Sequence, residues 1–180
     1  MPGCPPSRHC FCPVRKKRRS PMLKYVNHDI VFQEFPDEVT LAINLSRCPN
    51  GCPGCHSAYL QGDVGEELTE ARLFGLLDDY AGEVTCIGFM GGDNDPESVM
   101  RLCEAVREYA AATLSVSLRT GWYSGRAELP AGFRPSAFDY VKLGPYVAER
   151  GPLGSRTTNQ RLFRVQPDGR LEDITARFWR

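Results

Sequence analysis

The sequence predicts an α/β protein, a parallel sheet with covering helices, and three observations carry that prediction. Apolar strand-like runs alternate with helix-period segments from residue 39 onward. At 180 residues, 42% of them hydrophobic, the chain is long enough for one domain with a substantial core and too short for two. The two most unusual loops each follow a strand-like run directly, which is where an α/β sheet carries its functional loops.

The elements follow in order. Residues 39–46, VTLAINLS, are β-rich and apolar enough for a buried strand that delivers the chain into a cysteine loop. A helix over 67–80 is predicted from Leu68, Ala71, Phe74, Leu77 and Ala81 at three- and four-residue spacing. Residues 84–90, VTCIGFM, form a second buried strand ending in GGDND, after which Asp95 is a natural N-cap and Pro96 a natural first helical residue. Val99, Cys103, Val106 and Ala110 then lie on one helical face. Residues 114–121 supply a third strand and 138–144 a fourth, joined by an irregular link. Because both unusual loops follow strands, they belong on the same sheet edge and form one site.

The first 21 residues are chemically different from the rest. The chain is neutral overall, with 22 basic and 22 acidic residues, but Arg8, Arg15, Lys16, Lys17, Arg18 and Arg19 precede any acidic residue. The tail is proline-rich and poor in core-forming residues, so it reads as disordered, with residues 22–180 as the folded domain and Met22 as an alternative start. Cys4, His9, Cys10 and Cys12 are potential metal ligands there, but the spacing of Cys10 and Cys12 is poor for zinc. A lone basic run is ordinarily a solvated tail, and nucleic acid is not the expected partner. No apolar run reaches the roughly 20 residues that span a bilayer, and no signal-peptide core follows the basic start. The expectation is a cytoplasmic protein: of its eight cysteines, Cys86 and Cys103 sit in apolar periodic segments and the others cluster, which fits a metal centre better than a disulfide framework.

The stretch RCPNGCPGCH sets Cys48, Cys52 and Cys55 in a loop bent by Pro49, Gly51, Pro53 and Gly54. A closed zinc site takes four ligands, and ordinary electron-transfer clusters take four cysteines. Three thiolates on a 4Fe-4S cluster leave one iron open to a substrate or cofactor. Two alternatives stand beside that reading: a non-catalytic iron-sulfur or zinc module completed by Cys10 or Cys12, and His56 as a fourth ligand, which its adjacency to Cys55 makes strained.

The cysteine spacing after the first strand, joined to a Gly-Gly-acid loop after the second, resembles the radical S-adenosylmethionine (SAM) superfamily. Within it the strings CPNGCPGCH, GFMGGD, RTGWY, FDYVKLGPY and TTNQR are similar to activating proteins of glycyl radical enzymes, those of anaerobic ribonucleoside-triphosphate reductase in particular. The likeness covers roughly residues 22–179. Gly54 stands where many superfamily members have an aromatic residue, and Asp93 where many have Glu; both departures are common among these reductase activators.

The resemblance implies a 4Fe-4S cluster on Cys48, Cys52 and Cys55, with SAM chelating the fourth iron. Reduction would cleave SAM to methionine and a deoxyadenosyl radical, which takes a hydrogen atom from a glycine of the large reductase subunit. Gly91 and Gly92 would let backbone approach the amino-acid end of SAM, and Asp93 would orient its ammonium. Gly54 and His56 would lie near the adenine, and Thr120 with Gly121 would complete the pocket. The implied fold is a partial, open β/α barrel, since a full barrel needs about 200 residues or more. The implied electron source is a flavodoxin- or ferredoxin-like donor. A different glycyl radical enzyme or peptide substrate stays open.

Other features have plainer readings. Residues 93–104 place acids at several calcium-loop positions, but Ser98 replaces the required glycine. Cys86 and Cys103 read as small buried hydrophobes.

Overall fold

The computed structural model describes residues 22–179, so the readings for the tail and for Cys4, His9, Cys10 and Cys12 lie outside the described residues. Eight strands form one open mixed sheet: β1 (Lys24–Val31), β2 (Thr40–Leu45), β3 (Glu66–Glu67), β4 (Cys86–Met90), β5 (Arg119–Tyr123), β6 (Tyr140–Leu143), β7 (Arg161–Val165) and β8 (Leu171–Asp173). Their spatial order is β3-β1-β2-β4-β5-β6-β7-β8. The central strands β2, β4, β5 and β6 are mutually parallel, as expected, and antiparallel strands extend the sheet on both sides. The sheet is therefore mixed where an all-parallel one was expected, because among the described residues no α-helical crossover connects β1 to β2, β6 to β7 or β7 to β8, and such neighbours pair antiparallel.

Two helices cover one face. Helix α1 (Glu70–Asp79) begins where the Thr69 hydroxyl accepts from the Arg72 amide at 3.1 Å, three residues later than the periodicity predicts. Its buried side chains are Leu73, Leu76 and Leu77, whereas Ala71 is exposed. Helix α2 (Pro96–Tyr109) begins as expected, with Asp95 accepting from the Ser98 amide at 3.2 Å and Pro96 at its first position. Val99, Cys103, Val106 and Ala110 are all buried. No helix among the described residues is long and apolar enough to cross a membrane.

Strand register sorts the side chains into rows. Ile43, Phe89, Trp122 and Val141 form a row across β2, β4, β5 and β6, all buried in the core shared with the helices. Residues one step away point to the opposite, inner face. There Ala42, Gly88, Gly121 and Tyr140 form a row of three small residues and one aromatic. Phe35, from the turn between β1 and β2, fills the space and is 0% exposed. Its ring stacks on Tyr140 at 5.2 Å and meets Tyr123 edge-on at 5.3 Å. A methyl group on Gly121 would come within 2.1 Å of that ring, so glycine is what lets Phe35 seat.

After α2 a π-helical turn (Ala110–Leu114) closes on Ser115 in the left-handed region. This turn delays β5, which ends at Tyr123 and not at Gly121 as expected.

Candidate functional site

The next inner row toward the C-terminal strand ends is Asn44, Met90, Tyr123 and Lys142, one residue from each parallel strand. All four line a cavity of about 190 Å³ that also touches Cys48, Cys52 and Cys55, Gly91, Asp93, Gly125, Gly144 and Tyr146. Each parallel strand thus contributes its last inward side chain and the loop that follows it. The volume is below the roughly 300–1,000 Å³ of typical small-molecule sites. A larger cavity, about 660 Å³, lies beside the turn at 32–37 and contains no thiol; Tyr123 is the wall common to both.

The cysteine loop is fastened at its base. The Arg47 amide donates to the Gly62 carbonyl and the Cys48 amide to the Leu60 carbonyl, each at 3.0 Å. The Ser46 hydroxyl donates to the Val64 carbonyl at 2.7 Å. Above that base Gly51 (φ 56°) and Gly54 (φ 71°) take left-handed backbone, which turns the three half-buried free thiols toward one cavity. Gly54 is not among the residues lining the cavity; a Cβ on it would lie 3.7 Å from the Tyr146 ring. His56 is exposed, its Nδ1 3.4 Å from the Ser57 hydroxyl, and it is not among the residues lining the cavity.

Asp93 is the hub of the site and only 1% exposed. Its Oδ1 accepts from the Ser124 hydroxyl at 2.6 Å. Its Oδ2 accepts from the Gly125 amide at 2.8 Å and the Asn50 side-chain amide at 2.5 Å. Arg126 donates to its main-chain carbonyl at 2.9 Å. The carboxylate therefore ties together the cysteine loop, its own loop and the loop after β5, and retains acceptor capacity on Oδ1. Gly91 lines the cavity with its carbonyl held by the Trp122 indole at 2.7 Å. Gly92 does not line it: a Cβ there would approach Val99 to 2.5 Å and Leu45 to 2.9 Å, so this glycine serves loop packing.

Thr120 lies away from the cavity. Its hydroxyl donates to the Ala137 carbonyl at 2.7 Å and accepts from Arg107 at 3.2 Å, near the start of β5. Gly121 is occupied by the Phe35 contact. Both shifts have one cause, the later end of β5, which puts Tyr123, Ser124 and Gly125 where Thr120 and Gly121 were expected.

Lys142 was not singled out from sequence. It is 7% exposed, and its ammonium donates to the Gly144 carbonyl at 2.7 Å. Burial pushes its pKa down to about 8, partly offset by attraction to Asp93, Cys52 and Cys55, so it remains mostly charged at pH 7. Burial also pushes the Tyr123 phenol well above its ordinary range; the hydroxyl donates to the Glu34 carbonyl at 2.5 Å. Cys86 and Cys103 are fully buried and their thiols are pushed upward by desolvation, as expected of inert cysteines.

The donor set bears on which inorganic group fits. A single zinc ion with Zn–S of about 2.3 Å needs its thiolates within about 4 Å of one another, and among the described residues no group of three His, Cys, Asp or Glu side chains is arranged to hold one ion. The three thiols that line the cavity are a donor set of the kind that ligates a multi-iron cluster, whose ligands sit on different irons. Comparison with family models, with curated proteins and with solved structures gave no match to this chain.

Proposed function

We propose that this chain is a radical SAM activase that generates a glycyl radical on anaerobic ribonucleoside-triphosphate reductase. The observation that carries the reading is the convergence of Cys48, Cys52 and Cys55 with the last inward residues of four parallel strands on one cavity, these three being the cysteines that line it among the described residues. Those three thiols would hold the 4Fe-4S cluster. When bound, the cluster and SAM supply one-electron cleavage of a carbon–sulfur bond.

The chain's own residues bind, orient and exclude water. Lys142, anchored on the Gly144 carbonyl, offers a desolvated cation suited to the carboxylate of SAM. Asp93 Oδ1 offers acceptor capacity suited to its ammonium. Gly91, with φ 104°, exposes backbone to the cavity. Met90 and the uncharged Tyr123 form apolar wall beside them. The fold belonging to this proposal is an open β/α barrel of radical SAM type, built from β2, α1, β4, α2, β5 and β6. Its partners are the large reductase subunit and a flavodoxin- or ferredoxin-like donor, in the cytoplasm.

The test is anaerobic reconstitution with iron and sulfide, then dithionite and SAM, assaying 5'-deoxyadenosine. The native chain and Cys86→Ala should release it, and Cys52→Ala should not. An intact cluster that neither binds nor cleaves SAM refutes the proposal in favour of an electron carrier. A glycyl radical signal on added reductase then tests the substrate, and its absence with cleavage intact points to another acceptor.

A further inference from the structure

Asn50 sits between the Cys48 sulfur and the Asp93 carboxylate, which the cysteine loop and the GGD loop bring together. Its side-chain nitrogen lies 3.5 Å from Cys48 Sγ and 2.5 Å from Asp93 Oδ2. A primary amide has two N–H donors on that nitrogen, one for each acceptor. The orientation follows from the neighbours, because a carboxylate has no donor to give the amide oxygen. Gly125 closes the arrangement from the third loop: a Cβ there would fall 2.3 Å from the Asn50 nitrogen. The same glycine's amide donates to Asp93 Oδ2.

We propose that Asn50 is a positioning residue which donates to the Cys48 sulfur and thereby raises the reduction potential of the cluster, while fixing the cysteine loop against Asp93. The proposal rests on the activase reading for the presence of the cluster, but the role assigned to Asn50 comes from this chain's geometry. A hydrogen bond to a ligand sulfur stabilises the reduced, more negative cluster and so raises its potential. A neutral double donor is suited to this place. An acidic residue would set a further anion against the carboxylate, and a residue with one donor would reach the sulfur or the carboxylate but not bridge the two.

The experiment is a redox titration, followed by electron paramagnetic resonance, of anaerobically reconstituted full-length native protein, Asn50→Ala and Asn50→Asp, without SAM. Iron content and circular dichroism are measured alongside. Asn50→Ala should load iron like the native chain and show a reduced-to-oxidised ratio about fivefold lower at a fixed potential, the scale of one hydrogen bond. Asn50→Asp keeps the volume but exchanges donor for acceptor, and should shift further in the same direction. It also serves if Asn50→Ala does not fold. A native chain that loads while the folded variants titrate at its potential overturns the role of Asn50 and leaves the activase reading intact. A native chain that takes up no four-iron cluster overturns both.

Discussion

Replacing Lys142 with methionine probes the electrostatics of the site, because methionine keeps much of the stem and removes the buried charge together with its hydrogen bond to Gly144. In the native chain, moving the ammonium from its ordinary 10.5 to about 8 corresponds to about 3 kcal/mol, at about 1.36 kcal/mol per pH unit. The folded pKa lies below the unfolded one, so between pH 8 and 10.5 the unfolded chain binds the proton more readily, and native stability rises with pH across that window. Below pH 8 the penalty is present in full. The variant also leaves the Gly144 carbonyl without its donor, a cost of about 1–3 kcal/mol. That cost is the same at every pH and cancels when the two pH profiles are subtracted, as do titrating groups that do not interact with Lys142. Urea unfolding of the metal-free proteins from pH 7 to 10.5 should therefore show the native chain gaining about 3 kcal/mol on Lys142→Met. Parallel profiles would refute the reasoning, since they would mean that the ammonium is not desolvated. The same variant should bind SAM weakly at pH 7 if Lys142 meets its carboxylate, which equilibrium binding to the reconstituted protein measures.

Other perturbations probe the scaffold. Asp93→Ala strips the acceptor from Ser124, Gly125 and Asn50 in a buried setting, and should cost about 3 kcal/mol or more in urea unfolding; a change under about 1 kcal/mol would mean that the three loops hold without it. Gly121→Ala should destabilise by about 1–3 kcal/mol through overpacking on Phe35, and pairing it with Phe35→Leu should recover part of the loss. Additive costs in that double-mutant cycle would deny the contact. Phe35→Ala alone should cost about 3–5 kcal/mol, because its side chain is fully enclosed. Iron uptake should fall in Cys48→Ala and Cys55→Ala and be unchanged in Cys103→Ala, which an iron-to-protein ratio reads directly.

Much of the architecture was legible where local chemistry suffices. The α2 boundary is set by a side-chain acceptor and a proline three residues from the amide it caps, and both are visible in Asp95-Pro96. The buried face of α2 follows from helical periodicity alone. The end of β5 was not legible. RTGWY is strand-like, but its bounds depend on the π-helical turn at Ala110–Leu114 and on pairing with β4 and β6. That error of two residues moved the expected pocket from Thr120 and Gly121 to Tyr123, Ser124 and Gly125. The edge strands escaped for a similar reason: β1 (KYVNHDIV) does not alternate, its apolar residues falling in two pairs around Asn27, His28 and Asp29, and β3 and β8 have only two and three residues, so long-range pairing defines them.

By itself the sequence determined the central strand–helix alternation, the three-cysteine loop bent by glycines and prolines, and its placement on the same sheet edge as the GGD loop, because each depends on contiguous residues or on strand direction. Only the tertiary structure decided that Asn44, Met90, Tyr123 and Lys142 share a row, that Asp93 already holds three donors, and that Asn50 bridges it to Cys48. Those relations join residues up to about a hundred positions apart. Register across parallel strands creates them, and register is a property of pairing between segments that no single segment encodes.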